Sequence, residues 1–161
     1  MANLYPYYTD LAATQVAPAN VLGSLNAPEL EMGHLYQVTA TYTLKGNEVA
    51  NDLIRIINLP KGAMVDISGS SVTTNGGGVA LSITVGDDDT SVTTADASRY
   101  SSTISLTSAV TTVPTAFTAG TVLNAPASLG QDSWVLAKVT VANTPTAGHV
   151  LVFRLRVITP N

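Results

Sequence analysis

Leu35-Tyr36-Gln37-Val38-Thr39-Ala40-Thr41-Tyr42-Thr43-Leu44 is the stretch that decides the fold. Its even positions are apolar, and Gln37, Thr39, Thr41 and Thr43 between them are polar. A strand turns successive side chains to opposite faces, so this order buries one face and wets the other. The same period recurs in Val79, Leu81, Ile83 and Val85 against Ala80, Ser82 and Thr84. Further on, Val135, Ala137, Val139 and Val141 alternate with Trp134, Leu136, Lys138 and Thr140. Finally, Leu151, Phe153, Leu155 and Val157 alternate with Val152, Arg154 and Arg156. Leu53 to Leu59 is a dense apolar run around Arg55, and Met64 to Ser68 reads as a short strand. Several strands at short spacing, without a long amphipathic helix, predict an all-β chain folded as an antiparallel, jelly-roll-like β-sandwich. Tyr36, Val38, Ala40, Tyr42, Val79, Leu81, Ile83, Val85, Leu151, Phe153 and Leu155 are its expected inward set.

The breaks between these segments have their own chemistry. Lys45-Gly46-Asn47 reads as a turn, with Gly supplying a positive φ at no steric cost. Pro60-Lys61-Gly62 closes the Leu53 run, and Asn75-Gly76-Gly77-Gly78 is the clearest loop. Thr93 to Ser98 reads as a short helical turn, and the length of Asn143 to Gly148 suits a hairpin joining the last two strands. Residues 1–33 differ from the rest. Pro6, Pro18 and Pro28 interrupt them and no period is sustained, yet Leu4, Leu11, Val16, Val21, Leu22, Leu25 and Leu30 make them too apolar for an ordinary disordered leader. They are expected to form an extended N-terminal arm, packed on its own domain or on a neighbour, ahead of a sandwich domain over residues 34–161.

The 161 residues suit one domain, and charged residues make up only 11%, well below the usual share. Ser and Thr fill the polar positions instead, which favours strands. A net charge of −4 with scattered Lys and Arg argues against a nucleic-acid surface. The absence of cysteine removes disulfides and thiolate metal sites, and suits synthesis in a reducing cytoplasm. No basic region followed by an apolar core is visible at the start, and no run approaches the ~20 apolar residues of a membrane helix.

Asp87-Asp88-Asp89 is the most concentrated polar cluster. Three carboxylates in a loop supply some of the oxygens a hard cation needs, but the spacing lacks the glycine and terminal Glu of an EF-hand loop. The plainer expectation is a solvated acidic turn that keeps a sheet edge from pairing. His34 and His149 each begin a strand after a Gly and are expected at strand ends; no Gly-x-Ser-x-Gly elbow accompanies them. Gly76 to Gly78 precede a strand rather than a helix and no Lys follows, so a phosphate loop is not expected. No catalytic residue and no cofactor emerges. Trp134 and Tyr100 have the chemistry to stack on a sugar ring, although a lone Trp is more often core or interface filler. Arg154 and Arg156 share a face with Val152, which suits a semi-exposed strand or a subunit contact better than catalysis.

The run from Tyr36 to Arg55, then Leu59-Pro60-Lys61-Gly62-Ala63, Leu81 to Asp89 and Asp96-Ala97-Ser98-Arg99-Tyr100, resembles a family of tailed-phage virion proteins. The resemblance covers about Leu35 to Tyr100, with the closing strands matched loosely. It implies a non-enzymatic head decoration (cement) protein that is made in the host cytoplasm, docks on the capsid exterior and stabilises the shell. The implied partner is a major capsid protein. Self-association is expected from the apolar arm, and the icosahedral setting favours a trimer. On this reading Leu4, Tyr5, Tyr7, Tyr8, Leu11, Val21, Leu22, Arg154 and Arg156 are interface candidates. A second reading is a carbohydrate- or receptor-binding sandwich of a phage tail or surface assembly, because related folds serve many functions.

Overall fold

A computed structural model describes residues 7–10, 35–74, 81–91, 96–106, 115–116, 128–143 and 145–159, and among these described residues there are nine strands. They are β1 (Tyr7–Tyr8), β2 (Leu35–Thr43), β3 (Leu53–Leu59), β4 (Met64–Thr74), β5 (Leu81–Asp87), β6 (Ile104–Ser105), β7 (Thr115–Ala116), β8 (Ser133–Ala142) and β9 (Val150–Ile158). One sheet has the order β1-β3-β8-β5-β6 and the other β2-β9-β4-β7. Every pairing is antiparallel except β1 with β3. Val38, Ala40, Tyr42, Leu151, Phe153 and Leu155 of one sheet join Leu81, Ile83 and Val85 of the other in one buried cluster, as the alternation predicts. Val79 and the Gly76–Gly78 loop lie outside the described residues, as does the side chain of Tyr36.

Period alone misassigns partners. The expected hairpin over Asn143–Gly148 is a crossing instead: β8 pairs with β3 and β5, while β9 pairs with β2 and β4. The end of the crossing is tied to the end of β2, where Leu44 N–H donates to His149 O and Gly148 N–H to Leu44 O, both at 2.8 Å. Gly148 holds φ +87°, a conformation that only glycine adopts readily. The short strand expected over Met64–Ser68 continues to Thr74 as β4, with a register shift between Asp66 and Ser71. There Ser68 donates to Asp66 Oδ1 from both N–H and Oγ, and Ser70 Oγ donates to Asp66 O while accepting from Arg156 N–H. These side-chain bonds stand in for the missing ladder bonds of the bulge. A second bulge explains Val141, expected on one face with Val135, Ala137 and Val139 but 44% exposed: Ser82 pairs with Val141 and Ile83 with Val139, so Thr140 is skipped and Val141 turns to solvent.

The crossing from β2 to β3 is held by Glu48. Gly46 takes φ +84°, as the turn requires. The buried Glu48 carboxylate then accepts bonds from Tyr42 OH (2.7 Å), Lys45 N–H (2.6 Å) and Gly46 N–H (3.0 Å). Residues 7–10 bridge the sheets at the same side of the sandwich. β1 adds to the edge of β3, Thr9 donates from N–H to Arg55 O and from Oγ1 to Ile56 O, and Asp10 Oδ1 accepts from Thr41 N–H of β2 at 2.7 Å. One short segment thus covers edge groups of both sheets, a need that every open sandwich has.

Candidate functional site

The acidic triplet is not solvated. Asp87 and Asp89 are 0% exposed, because residues 96–101 fold back along β5 and bring their own donors. Arg99 Nη1 lies 2.7 Å from Asp87 Oδ1 and donates to Oδ2 at 3.0 Å, and Tyr100 OH also donates to Oδ2. Asp89 accepts from Ser91 N–H and Oγ on one oxygen and from Gly130 N–H on the other. Asp88 Oδ1 accepts from Trp134 N–H at 2.7 Å, which clips the turn to the start of β8. The three side chains therefore face separate donors. Among the described residues no group of three or more His, Cys, Asp or Glu is placed to hold a metal ion. Burial pushes the Asp87 carboxyl up against the pull of Tyr100 and Arg99, and pushes the Tyr100 hydroxyl far above its usual value. For Asp89, burial also pushes upward, but the Ser91 and Gly130 donors prevail and hold it low. The site locks the 96–101 segment to β5, and Gly86 is where it crosses. A Cβ there would lie 1.9 Å from Asp96 O. Of the helical turn expected over Thr93–Ser98, residues 93–95 lie outside the described residues, and the part from Asp96 is a turn closed by Arg99 N–H to Asp96 O.

Tyr100, at 1% exposed, is withdrawn from any sugar ring. Trp134 is half-buried on the outward face of the five-stranded sheet, with the Arg55 guanidinium 4.8 Å from its ring centroid. Cation–aromatic stacking at this distance fixes both side chains. Beside them a cleft of about 600 Å³ is lined by Leu53, Thr84, Leu136 and Lys138, with Asp96 and Ser98 on its wall.

Arg154 and Arg156 stand on the outward face of the four-stranded sheet, and their situations differ. Arg156 Nε is 3.3 Å from Asp66 Oδ2, and a Cβ at Gly69 would sit 2.1 Å from its Cδ, so the side chain lies along the β4 bulge. Arg154 is in register between Thr39 of β2 and Ser71 of β4. Among the described residues its side chain makes no hydrogen bond or ion pair. Leu4, Tyr5, Leu11, Val21, Leu22 and His34 lie outside the described residues, and for Tyr7 and Tyr8 only the backbone pairing is described. His149 does stand at a strand end, immediately before β9.

No protein-family model matches this sequence, and no curated protein matches it. Solved structures do. A chain of "Cyanophage Pam1 capsid asymmetric unit" is similar over 80% of this chain and 87% of that one, at 23% identity and a TM-score of 0.57. A chain of "Capsid of Ralstonia phage GP4" is similar over 81% of this chain and 88% of that one, at 18% identity and a TM-score of 0.60. Likeness at these identities shows a shared sandwich fold.

Proposed function

We propose that this chain is a non-enzymatic structural protein of a phage virion that binds the outside of the assembled capsid and stabilises it. The observation that carries the proposal is the wiring. Leaving β1 aside, the sheet orders β2-β9-β4-β7 and β3-β8-β5-β6 are those of a jelly roll, and chains sharing this sandwich sit in two phage capsid structures. The residues with the strongest chemistry support a structural role as well: Asp87, Asp89, Arg99 and Tyr100 use their polar atoms on one another and on backbone donors. Decoration stabilises a shell because the protein binds the assembled lattice better than its separate subunits.

In this reading the partner is the major capsid protein, and copies of the chain form a closed symmetric oligomer, a trimer at threefold positions. Leu4, Tyr5, Leu11, Val21 and Leu22 of the arm add contact area. Because Tyr7–Asp10 belong to the sandwich, the arm is best tested by replacing those five residues with Ser and keeping residues 7–10. The variant should fold normally and leave heads more readily on heating or dilution. Co-sedimentation of the purified chain with heads assembled without it tests the main proposal. Failure of the intact chain to sediment would transfer the assignment to a receptor- or carbohydrate-binding module.

A further inference from the structure

We infer that two copies of this chain join edge to edge through β2, antiparallel about a twofold axis at Gln37, so that their four-stranded sheets become one continuous sheet. The inference goes beyond the capsid-binding reading and does not depend on it. Among the described residues four strands end the two sheets: β1, β6 and β7, each two residues long, and β2, nine residues long. A very short edge strand is one of the devices that keep a sheet from pairing with other chains. β2 is not protected in this way. From Leu35 to Thr43 it holds no Pro, no charged residue and no bulge, and its register with β9 is unbroken.

The hydrogen bonds fix which of its backbone groups are free. Arg156 N–H donates to Ser70 Oγ on the β4 side, and Arg156 is in register with Gln37, so the Gln37 amide and carbonyl face away from β9. Thr41 has the same phase, because its N–H donates to Asp10 Oδ1 and not to β9. Leu35, Gln37 and Thr39 therefore turn N–H and C=O toward the open edge, and all three are exposed. No other described residue bonds to that side of Gln37 or Thr39.

A row of alternating backbone donors and acceptors is complementary to another strand. The same edge of a second copy fits, because Leu35, Gln37 and Thr39 map onto themselves about Gln37. Gln37 meets its own counterpart, and Leu35 meets the counterpart of Thr39. Each such pair exchanges two N–H···O bonds. Leu35, 46% exposed in the single chain, is then covered by the added strand. No charge within β2 opposes the approach. The pairing also stops at a defined place: the position opposite Thr41 precedes the start of the other copy's β2, and there Asp10 supplies the acceptor for the Thr41 amide. In a threefold oligomer the same contact joins one trimer to the next.

The chain has no cysteine, so a single introduced thiol reports on the axis. Gln37→Cys should be linked into dimers by a short bis-maleimide. Thr43→Cys, exposed on the same strand but outside the paired stretch, should not. Equal linking of the two variants, or no linking of Gln37→Cys, would overturn the inference. A charge exchange gives the second readout. Gln37→Lys and Gln37→Glu each set like charges opposite one another across the axis. Each should weaken the concentration-dependent doubling of mass in sedimentation equilibrium about fivefold. An equimolar mixture of the two should restore it. A wild-type chain whose mass never doubles, single variants that associate as the wild type does, or a mixture that stays dissociated would each overturn the contact. Circular dichroism melts should be unchanged in every variant, since exposed substitutions of this kind cost little stability.

Discussion

Removing the Glu48 carboxylate would take away the acceptor that the buried Tyr42 hydroxyl and the amides of Lys45 and Gly46 share in this half-buried turn. Glu48→Ala should cost about 3 kcal/mol, on the scale of lost hydrogen bonds to a charged group, and urea unfolding would measure it. Burial pushes the Glu48 carboxyl up, but the Lys45, Tyr42 and Gly46 donors prevail and hold it below the ordinary range. A carboxyl lowered by folding contributes stability that is present above its unfolded value, near pH 4.3, and is lost as pH falls through the folded one. Asp89 acts in the same direction. Asp87, raised by burial, acts in the opposite one, its contribution fading as pH rises through its folded value. Stability should therefore fall below about pH 4.3, and Glu48→Gln should flatten that slope in urea midpoints measured against pH. At Gly86 the argument is steric. An Ala methyl would meet the Asp96 and Ala97 backbone, so Gly86→Ala should lower stability by ~3 kcal/mol, the upper end for overpacking, while a wild-type melt would disprove the close approach. Neither residue announces itself in the sequence. Glu48 sits in an ordinary polar turn, and the burial of Asp87 depends on Arg99 and Tyr100 arriving from a later loop.

At the scale of elements, alternation identified the inward faces of β2, β5 and β9 because burial on one face leaves a period of two. It could not identify partners, which depend on which sheet each strand enters. Nor could it see the bulges at Thr140, where one added residue breaks the period, and at Asp66–Ser71, where three do. Phe153 in β9 is fully buried, and Phe153→Ala should cost ~3–5 kcal/mol in the same unfolding assay. The Tyr7–Asp10 segment makes a different prediction. Deleting residues 1–10 uncovers the β3 edge and the Thr41 amide of β2, so the purified chain should self-associate more strongly, as seen by light scattering. An unchanged particle mass would mean that those edges are protected by other means. The sequence marked this region as apolar and extended but held no sign that residues 7–10 join a sheet, since a two-residue strand is too short to show a period.

For the whole molecule, composition and patterning sufficed for an all-β sandwich with one buried and one outward face to each sheet. They did not distinguish Arg154 from Arg156, since that distinction hinges on a bulge in another strand. The wiring also bears on how the chain reaches this state. β2 and β4 do not touch each other in the ladder; both pair with β9, and every connection between consecutive strands except β5 to β6 crosses between sheets. Non-local pairing of this kind slows folding. While the polypeptide is still emerging from the ribosome, β2 and β4 exist with nothing between them, and the four-stranded sheet has to wait until Val150–Ile158 has been translated and released.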